Sequence, residues 1–483
     1  MPANLRDLDS FGEVAAEDDA ILLNYFLSTD TVQRVEEGGA FLVIGRKGAG
    51  KTAIVRYFTE GNERDRSRAL NLRNYPWNVH ASRIDRGADA VDAYVASWRY
   101  LIAVQIAAWA LENSQATFND NQRPLREFLE ANYGGPRPKL SDIIRPAKLR
   151  VRGFNVAPQV LGNALGSVDL ERGEGDHNLG MELEALTQAL LQSAVAVMRE
   201  CRLGAFYLHF DELDAGLEEV NETRKQMLIG LILAIRGMRR EMVALEAEAK
   251  PVLYLRTDLW DDLTFSDKNK ITQGQSVLIE WTPDQLKDLV NVRLRSKLGD
   301  DVAWGNIIDE DLMRGSQPKW NHIVARTLRR PRDVIHFLNV ALRVAKRRDD
   351  AELIFSNRDI VESRTDYSAY LKRELDDEIL PHWRRWEEAL QTLSAIATET
   401  FSAEGFGEEY PRKKSAGNPC DAGEALRLLH RFSVIGYLKR SGYGGSSWAF
   451  MYEEPDRGWD AHATQFKVHP GLKEHAGLRE ERR

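Results

Sequence analysis

Cysteine is nearly absent from this chain: Cys201 and Cys420 are the only two in 483 residues. Two thiols so far apart make neither a metal cluster nor a disulfide framework, and they read as reduced structural residues. No apolar run approaches the roughly 18 residues that a membrane-crossing helix needs. The opening Met1-Pro-Ala-Asn-Leu-Arg-Asp-Leu-Asp9 lacks the apolar stretch of a secretory signal, so a cytoplasmic protein is expected. An excess of positive charge is also missing. The formal net charge of −8 argues against a globally basic nucleic-acid binder but leaves room for a local basic face. No internal repeat is detectable. The 43% hydrophobic content is ample for ordinary cores, and the length predicts about three domains.

The most informative stretch is Phe41-Leu-Val-Ile-Gly-Arg-Lys-Gly-Ala-Gly-Lys-Thr52. Gly45, Arg46, Lys47, Gly48, Ala49, Gly50, Lys51 and Thr52 fit G-x-x-x-x-G-K-[ST] at every fixed position. The apolar run Phe41–Ile44 leads in as a strand, and Ala53-Ile-Val-Arg-Tyr-Phe58 follows as a helix. Glycines let consecutive backbone N–H groups turn inward around a phosphate, and the helix N-terminus adds its dipole. In that geometry Lys51 reaches the β- and γ-phosphates, and Thr52 holds Mg²⁺ through its hydroxyl. ATP and Mg²⁺ are therefore the expected ligands, with the backbone from Gly45 to Ala53 forming the cradle.

Further strands are expected at 77–84, at Ala205-Phe-Tyr-Leu-His-Phe210, at Pro251–Leu255 and at Ser276–Trp281, with long helices at about 92–113, 179–200 and 222–249. Short apolar strands alternating with helices predict an α/β fold with a parallel sheet covered on both faces. Residues 134–178 break the pattern with prolines, glycines and a run of Arg and Lys, and read as an insertion with a hairpin at 148–170. The insertion is either a solvated excursion or a contact to a partner chain or nucleic acid. The domain expectation is a helical segment at 1–34, a P-loop ATPase core at 35–282, a helical lid at 283–355, a linker helix at 356–382 and a winged helix at 383–483. In the last of these, helices at 383–401 and 421–431 flank a loop at 403–420 and precede a β-hairpin.

Hydrolysis of a nucleotide needs Mg²⁺, a positioned water and positive charge for the transition state. Asp211 follows a buried strand, where ligands gather in open α/β sheets, and is the candidate second metal ligand beside Thr52. Glu212 is the candidate acid for the attacking water, with Asp214 as the alternative. Arg256 or Thr257, ending the next strand, can touch the γ-phosphate. Arg332, opening a helix beyond the core, can reach back to the phosphates, with Arg329 and Arg330 as alternatives. Arg239 and Arg240 are weaker candidates for an arginine acting in trans on a neighbouring copy.

Leu22-Leu-Asn-Tyr-Phe26, Phe41 to Thr52, Phe210-Asp-Glu-Leu-Asp214, Arg330-Pro-Arg-Asp333 and Phe466-Lys-Val-His-Pro-Gly-Leu472 together resemble a bacterial family of P-loop ATPases. That family is allied to AAA+/STAND-like and origin-recognition-type ATPases and is often encoded near phage-defence genes. The resemblance runs from about 14 to 478. It implies an AAA+-like core, a helical lid and a winged-helix tail. The family acid cluster more often reads Asp-Asp-Leu-Asp, so Glu212 departs towards AAA+ enzymes and leaves the choice of acid open. The insertion has no counterpart in the family pattern.

Two functions are consistent with these residues. One is an ATPase switch in bacterial defence, in which ATP drives a homo-oligomer or the regulation of an effector protein. The other is an ATP-dependent DNA-binding protein of the origin-recognition type. The dense bases Arg326, Arg329, Arg330, Arg332, Arg343, Lys346, Arg347 and Arg348 favour the second. Glu453, Glu454, Asp456 and Asp460 near the hairpin weigh against it.

Overall fold

The run Phe41–Ile44 folds as strand β1, Leu42–Ile44, with all three residues buried. It belongs to a computed structural model describing residues 3–73, 90–114, 121–144, 148–150, 167–169, 176–213, 221–440 and 445–480. The chain divides into two compact units. One comprises Ser28–Arg46 and Lys51–Ile279, the other Met1–Leu27, Lys47–Gly50 and Glu280–Arg483.

The first unit is built on a parallel sheet. Besides β1 it holds β2 (Ser67–Asn71), β5 (Phe206–Asp211), β6 (Ala249–Leu255) and β7 (Ser276–Leu278), in the order β2-β5-β6-β1-β7. Leu42 pairs with Leu253 on one side and Ser276 on the other, so β1 lies inside the sheet. The strand expected at 77–84 lies outside the described residues. The edge strand β2 has mostly part-exposed residues and no apolar run to announce it. In the insertion, β3 (Lys148–Arg150) pairs antiparallel with β4 (Ser167–Asp169), in agreement with the expected hairpin.

Parallel strands need crossovers, and helices supply them. They are α1 (Lys51–Glu60), α2 (Ala90–Asn113), α3 (Asp176–Glu200) and α4 (Glu222–Ala244). Every residue of α2 from Tyr100 to Leu111 is buried. A helix apolar all round must be enclosed, and α3 and α4 pack against it. Gly230 permits the close approach of α4, because a Cβ there would lie 2.6 Å from Tyr94 Cβ. Arg99 joins the three helices, donating to Glu184 at 2.8 Å and Glu241 at 2.7 Å.

The second unit begins with an N-terminal segment held to α5 (Pro283–Leu298). Arg293 donates to the Phe11 carbonyl at 2.7 Å and lies over the Tyr25 ring at 4.3 Å. Within the helical segment expected at 1–34, this unit carries two short 3₁₀ turns, Ala16–Asp18 and Leu22–Tyr25. Helices α6 (Pro331–Ala345), α7 (Arg364–Ile379) and α8 (Trp386–Ile396) follow. Then comes β8 (Thr400–Ser402), and the loop expected at 403–420 is largely helix α9 (Ala403–Lys413). Gly405, Gly407 and Pro411 disguise that helix in sequence, but Ser402 caps it by accepting from Gly405 N at 3.0 Å. Helix α10 (Ala422–Arg431) and strands β9 (Ile435–Arg440), β10 (Ser446–Ala449) and β11 (Gln465–Val468) complete an antiparallel sheet ordered β10-β9-β11-β8. Residues 441–444, between β9 and β10, lie outside the described residues.

Three buried histidines make stability depend on pH. Burial lowers His209 to about 3 and His430 to about 4. Burial, with Arg326 and Arg364, lowers His322 to about 3. The unfolded chain protonates these rings near pH 6.5, whereas the folded chain does not until far lower pH. The unfolded state therefore binds more protons in that window, and stability is lost as pH falls from about 6.5. His209 alone should account for about 2 kcal/mol between pH 7 and pH 5. Urea unfolding at the two pH values checks this: the midpoint should fall, and an unchanged midpoint contradicts it.

Candidate nucleotide site

Strand β1 is pinned on both sides up to the point where the loop leaves it. Gly45 N donates to Leu255 O at 3.1 Å, and Ile279 N donates to Ile44 O at 2.7 Å. The chain then turns through Gly48 (φ +77°) and Gly50 (φ +108°), both left-handed. Nothing lies within 4 Å of a Cβ built at Gly50, so glycine is required there by backbone conformation and not by space. Helix α1 opens at Lys51, directing its N-terminal N–H groups into the turn. Lys51 Nζ folds back to donate to Gly45 O at 2.9 Å and Arg46 O at 3.1 Å. Arg46, Thr52 and Ala53 remain part-accessible.

The strand order sets what stands beside the loop. Because β6 lies between β1 and β5, the carboxyl edge carries Gly45, then Thr257, then Asp211. Asp211 is buried at the end of β5. Thr257 Oγ1 is buried without a hydrogen-bond partner, an orphaned hydroxyl of the kind a ligand satisfies. Arg256 is engaged by Asp258 at 2.9 and 2.7 Å, so of the two open candidates Thr257 keeps the uncommitted polar atom. Glu212 has φ +58°, a strained backbone for a non-glycine residue. Its Oε2 lies 3.3 Å from Arg73 Nε, an ion-pair contact without hydrogen-bond alignment. Asp214 lies outside the described residues.

The donors fit a magnesium nucleotide better than a resident metal. Among the described residues, no group of three or more His, Cys, Asp or Glu is placed to hold a metal ion. Mg²⁺ favours one or two protein oxygens plus phosphates and water. Thr52 and Asp211 would supply such oxygens.

The tip of the loop, Lys47–Gly50, belongs to the second unit, where Trp281, Arg330 and Arg332 hold it. Trp281 Nε1 donates to Ala49 O at 2.9 Å. Arg330 donates to Lys47 O at 2.9 Å and pairs with Asp333 and Glu378. Burial opposes its charge, but the two carboxylates outweigh burial and hold its pKa well above the ordinary arginine value. Arg332 packs on Gly48, where a Cβ would meet Arg332 Cβ at 2.9 Å. The Arg332 guanidinium pairs with Glu374 at 3.3 Å. Arg329, the third candidate, is drawn away to Glu453. Neither Trp281 nor the acids of α7 carried a signal in sequence, since both depend on tertiary placement.

Of the two arginines considered for action on a neighbouring copy, Arg239 donates to Gly38 O and Ala40 O, while Arg240 is exposed. One expectation needs correction: the dense basic stretch is not an open face. Arg326 and Arg330 are buried, Arg329, Arg332 and Arg348 are paired with acids, and Lys346 donates to Leu8 O. Arg343 and Arg347 are exposed.

Residues 284–376 match the FunZ-associated C-terminal helical domain, a span running from α5 almost to the end of α7. No curated protein matches the chain. Among solved structures, the crystal structure of Cdc6p from Pyrobaculum aerophilum aligns over 98% of this chain and 91% of its own, at 14% identity and a TM-score of 0.29. That likeness is too slight to assign fold or function. The helical match covers a minority of the chain and leaves the loop and sheet outside it. No helix among the described residues is long and apolar enough to cross a membrane.

Removing Arg330 leaves Asp333 and Glu378 buried without their cation. Arg330→Met should destabilise the protein by about 3–5 kcal/mol, the cost of breaking a buried pair from one side. Arg332→Ala, whose ion pair is partly exposed, should cost about 1 kcal/mol or less. Urea denaturation of the two variants compares them directly, and equal losses would refute the assignment of the buried role to Arg330.

Proposed function

We propose that this protein binds ATP with Mg²⁺ on the loop Gly45–Ala53 and hydrolyses it. The observation that carries the reading is the loop itself: two left-handed glycines, an α-helix opening at Lys51, and the lysine ammonium folded over the turn. Bound Mg²⁺ supplies positive charge against the β- and γ-phosphates. Lys51 exchanges its carbonyl partners for phosphate oxygens. Thr257 offers its orphaned hydroxyl at the phosphate end of the sheet. Glu212, strained one residue beyond Asp211, orients the attacking water and takes its proton, with Asp214 as the competing acid. Arg332, packed on the loop, is the arginine that distinguishes ATP from ADP.

The reading extends to an AAA+-like core, a helical lid and a C-terminal winged helix. The helix–strand–helix–helix–hairpin order of α8, β8, α9, α10, β9 and β10 supports the last. It also extends to an assembly switch, in which ATP favours one oligomeric or effector-bound state because that state holds the γ-phosphate better. A place in bacterial defence rests on the family resemblance alone. A second reading, ATP-gated DNA binding, is favoured by one observation: Lys413 at the end of α9 is exposed, with Lys414 part-exposed beside it, although the neighbouring Arg412 is paired with Glu409 at 2.6 Å. Lys439, by contrast, is tied to Glu454.

Lys51→Ala should abolish binding of an ATP analogue with Mg²⁺ in calorimetry. Glu212→Gln should retain binding and lose most turnover. Normal hydrolysis by Glu212→Gln together with loss in Asp214→Asn would move the catalytic role to Asp214. Mass in solution should rise with ATP analogue over ADP, and Arg332→Ala should remove that difference. An unchanged mass combined with a salt-sensitive duplex complex, weakened by neutralising Lys413 and Lys414, would select the DNA-binding reading.

A further inference from the structure

The cations at the tip of the loop are already occupied by carboxylates of the chain itself. Lys47 pairs with Asp377 and lies 3.5 Å from Glu374. Arg332 pairs with the same Glu374 at 3.3 Å. Arg330 is held by Asp333 and Glu378. Glu374, Asp377 and Glu378 all come from the last turns of α7, so one helix end presents a row of acids to the loop. In this cluster three cations face four carboxylates, and the excess charge is negative.

That balance is wrong for a polyphosphate. A nucleotide on the loop would bring several negative charges beside Lys47, which Glu374 and Asp377 already hold. The two kinds of acid differ in their surroundings. Glu378 is buried and shares Arg330 with Asp333 inside the unit, so it is structural. Asp377 is largely exposed, and Glu374 bridges both cations that are free to turn towards phosphate. Arg332 reinforces the point, since its Nε is buried without a hydrogen-bond partner. Glu374 therefore satisfies the guanidinium only in part.

We propose that Glu374, aided by Asp377, is an internal competitor of the nucleotide phosphates, and that ATP binding and release of the C-terminal turn of α7 are one event. The proposal rests on the reading of Gly45–Ala53 as an ATP loop and adds its regulation. When Lys47 and Arg332 turn to phosphate, Glu374 loses both partners while only part-exposed. The helix end must then shift or fray to hydrate it. Because α7 leads within a few residues into α8, the C-terminal layer of the same unit receives the signal. The competitor lowers affinity only for a ligand that must displace it from these cations, and a ligand that leaves them uncontacted binds without that cost.

The test uses the full chain in four forms: unaltered, Glu374→Gln, Asp377→Asn and Lys51→Ala. Calorimetry with an ATP analogue and Mg²⁺ should show Glu374→Gln binding about 3–10-fold tighter than the unaltered chain, and Asp377→Asn about 2-fold tighter, as expected for releasing partly exposed ion pairs. Amide exchange in 370–379 should rise when the unaltered chain is saturated with analogue. In Glu374→Gln it should be raised already without ligand. Unchanged or weaker binding by Glu374→Gln, with normal binding by the unaltered chain and none by Lys51→Ala, overturns the competitor while leaving the ATP reading intact. Failure of the unaltered chain to bind, or binding indifferent to Lys51→Ala, overturns the ATP reading and this proposal with it. Asp377→Asn, at an exposed position, keeps the test decisive should Glu374→Gln fold poorly.

Discussion

The guanidinium of Arg330 is the contact on which the second unit is organised. It is fully charged, almost entirely buried, and satisfied from three directions by Asp333, Glu378 and the carbonyl of Lys47. A charge so placed tolerates only one arrangement of its partners, because each missing one leaves a buried ion without compensation. It thereby fixes the start of α6, the end of α7 and the tip of the glycine loop in one geometry. Asp333 contributes twice, since the same carboxylate also accepts from Leu328 N at 3.1 Å and shapes the turn that delivers Arg330.

The sheet imposes the complementary constraint. An extra strand between β1 and β5 separates the loop from Asp211 by one strand's width and gives the intervening position to Thr257. The carboxyl edge beside the loop thus carries a hydroxyl from one strand and an acid from the next.

The loop and its flanking strand and helix were legible because glycine spacing, an apolar strand and a capping dipole are local signals. Strands β5 and β6 were legible as apolar runs, and α2 as a long apolar helix. Edge strand β2 was not, since an exposed strand needs no apolar run. Helix α9 was hidden by two glycines and a proline, whose penalty a serine cap and burial of Phe406 and Tyr410 offset. In the site, sequence pointed to Arg332 but could not separate it from Arg329 and Arg330. Three neighbouring arginines face a surface acid, a buried acid pair and the loop, and that sorting belongs to tertiary structure. The bases between Arg326 and Arg348 that looked like a nucleic-acid face were misleading for the same reason, because sequence displays charges without their partners.

The position of β1 has a consequence for how the molecule comes to exist. Among the described residues its strand partners lie at Leu253–Leu255 and Ser276–Leu278, more than two hundred residues downstream. At ribosomal rates of about 5–20 residues per second, the strand and the glycine turn that follows it wait on the order of ten to fifty seconds for a partner. The acids and arginines that hold the tip of the turn are made later still. During synthesis this apolar segment is therefore an unpaired strand, reliant on chaperones or on transient non-native cover. The most recognisable feature of the sequence is one of the last to become structure.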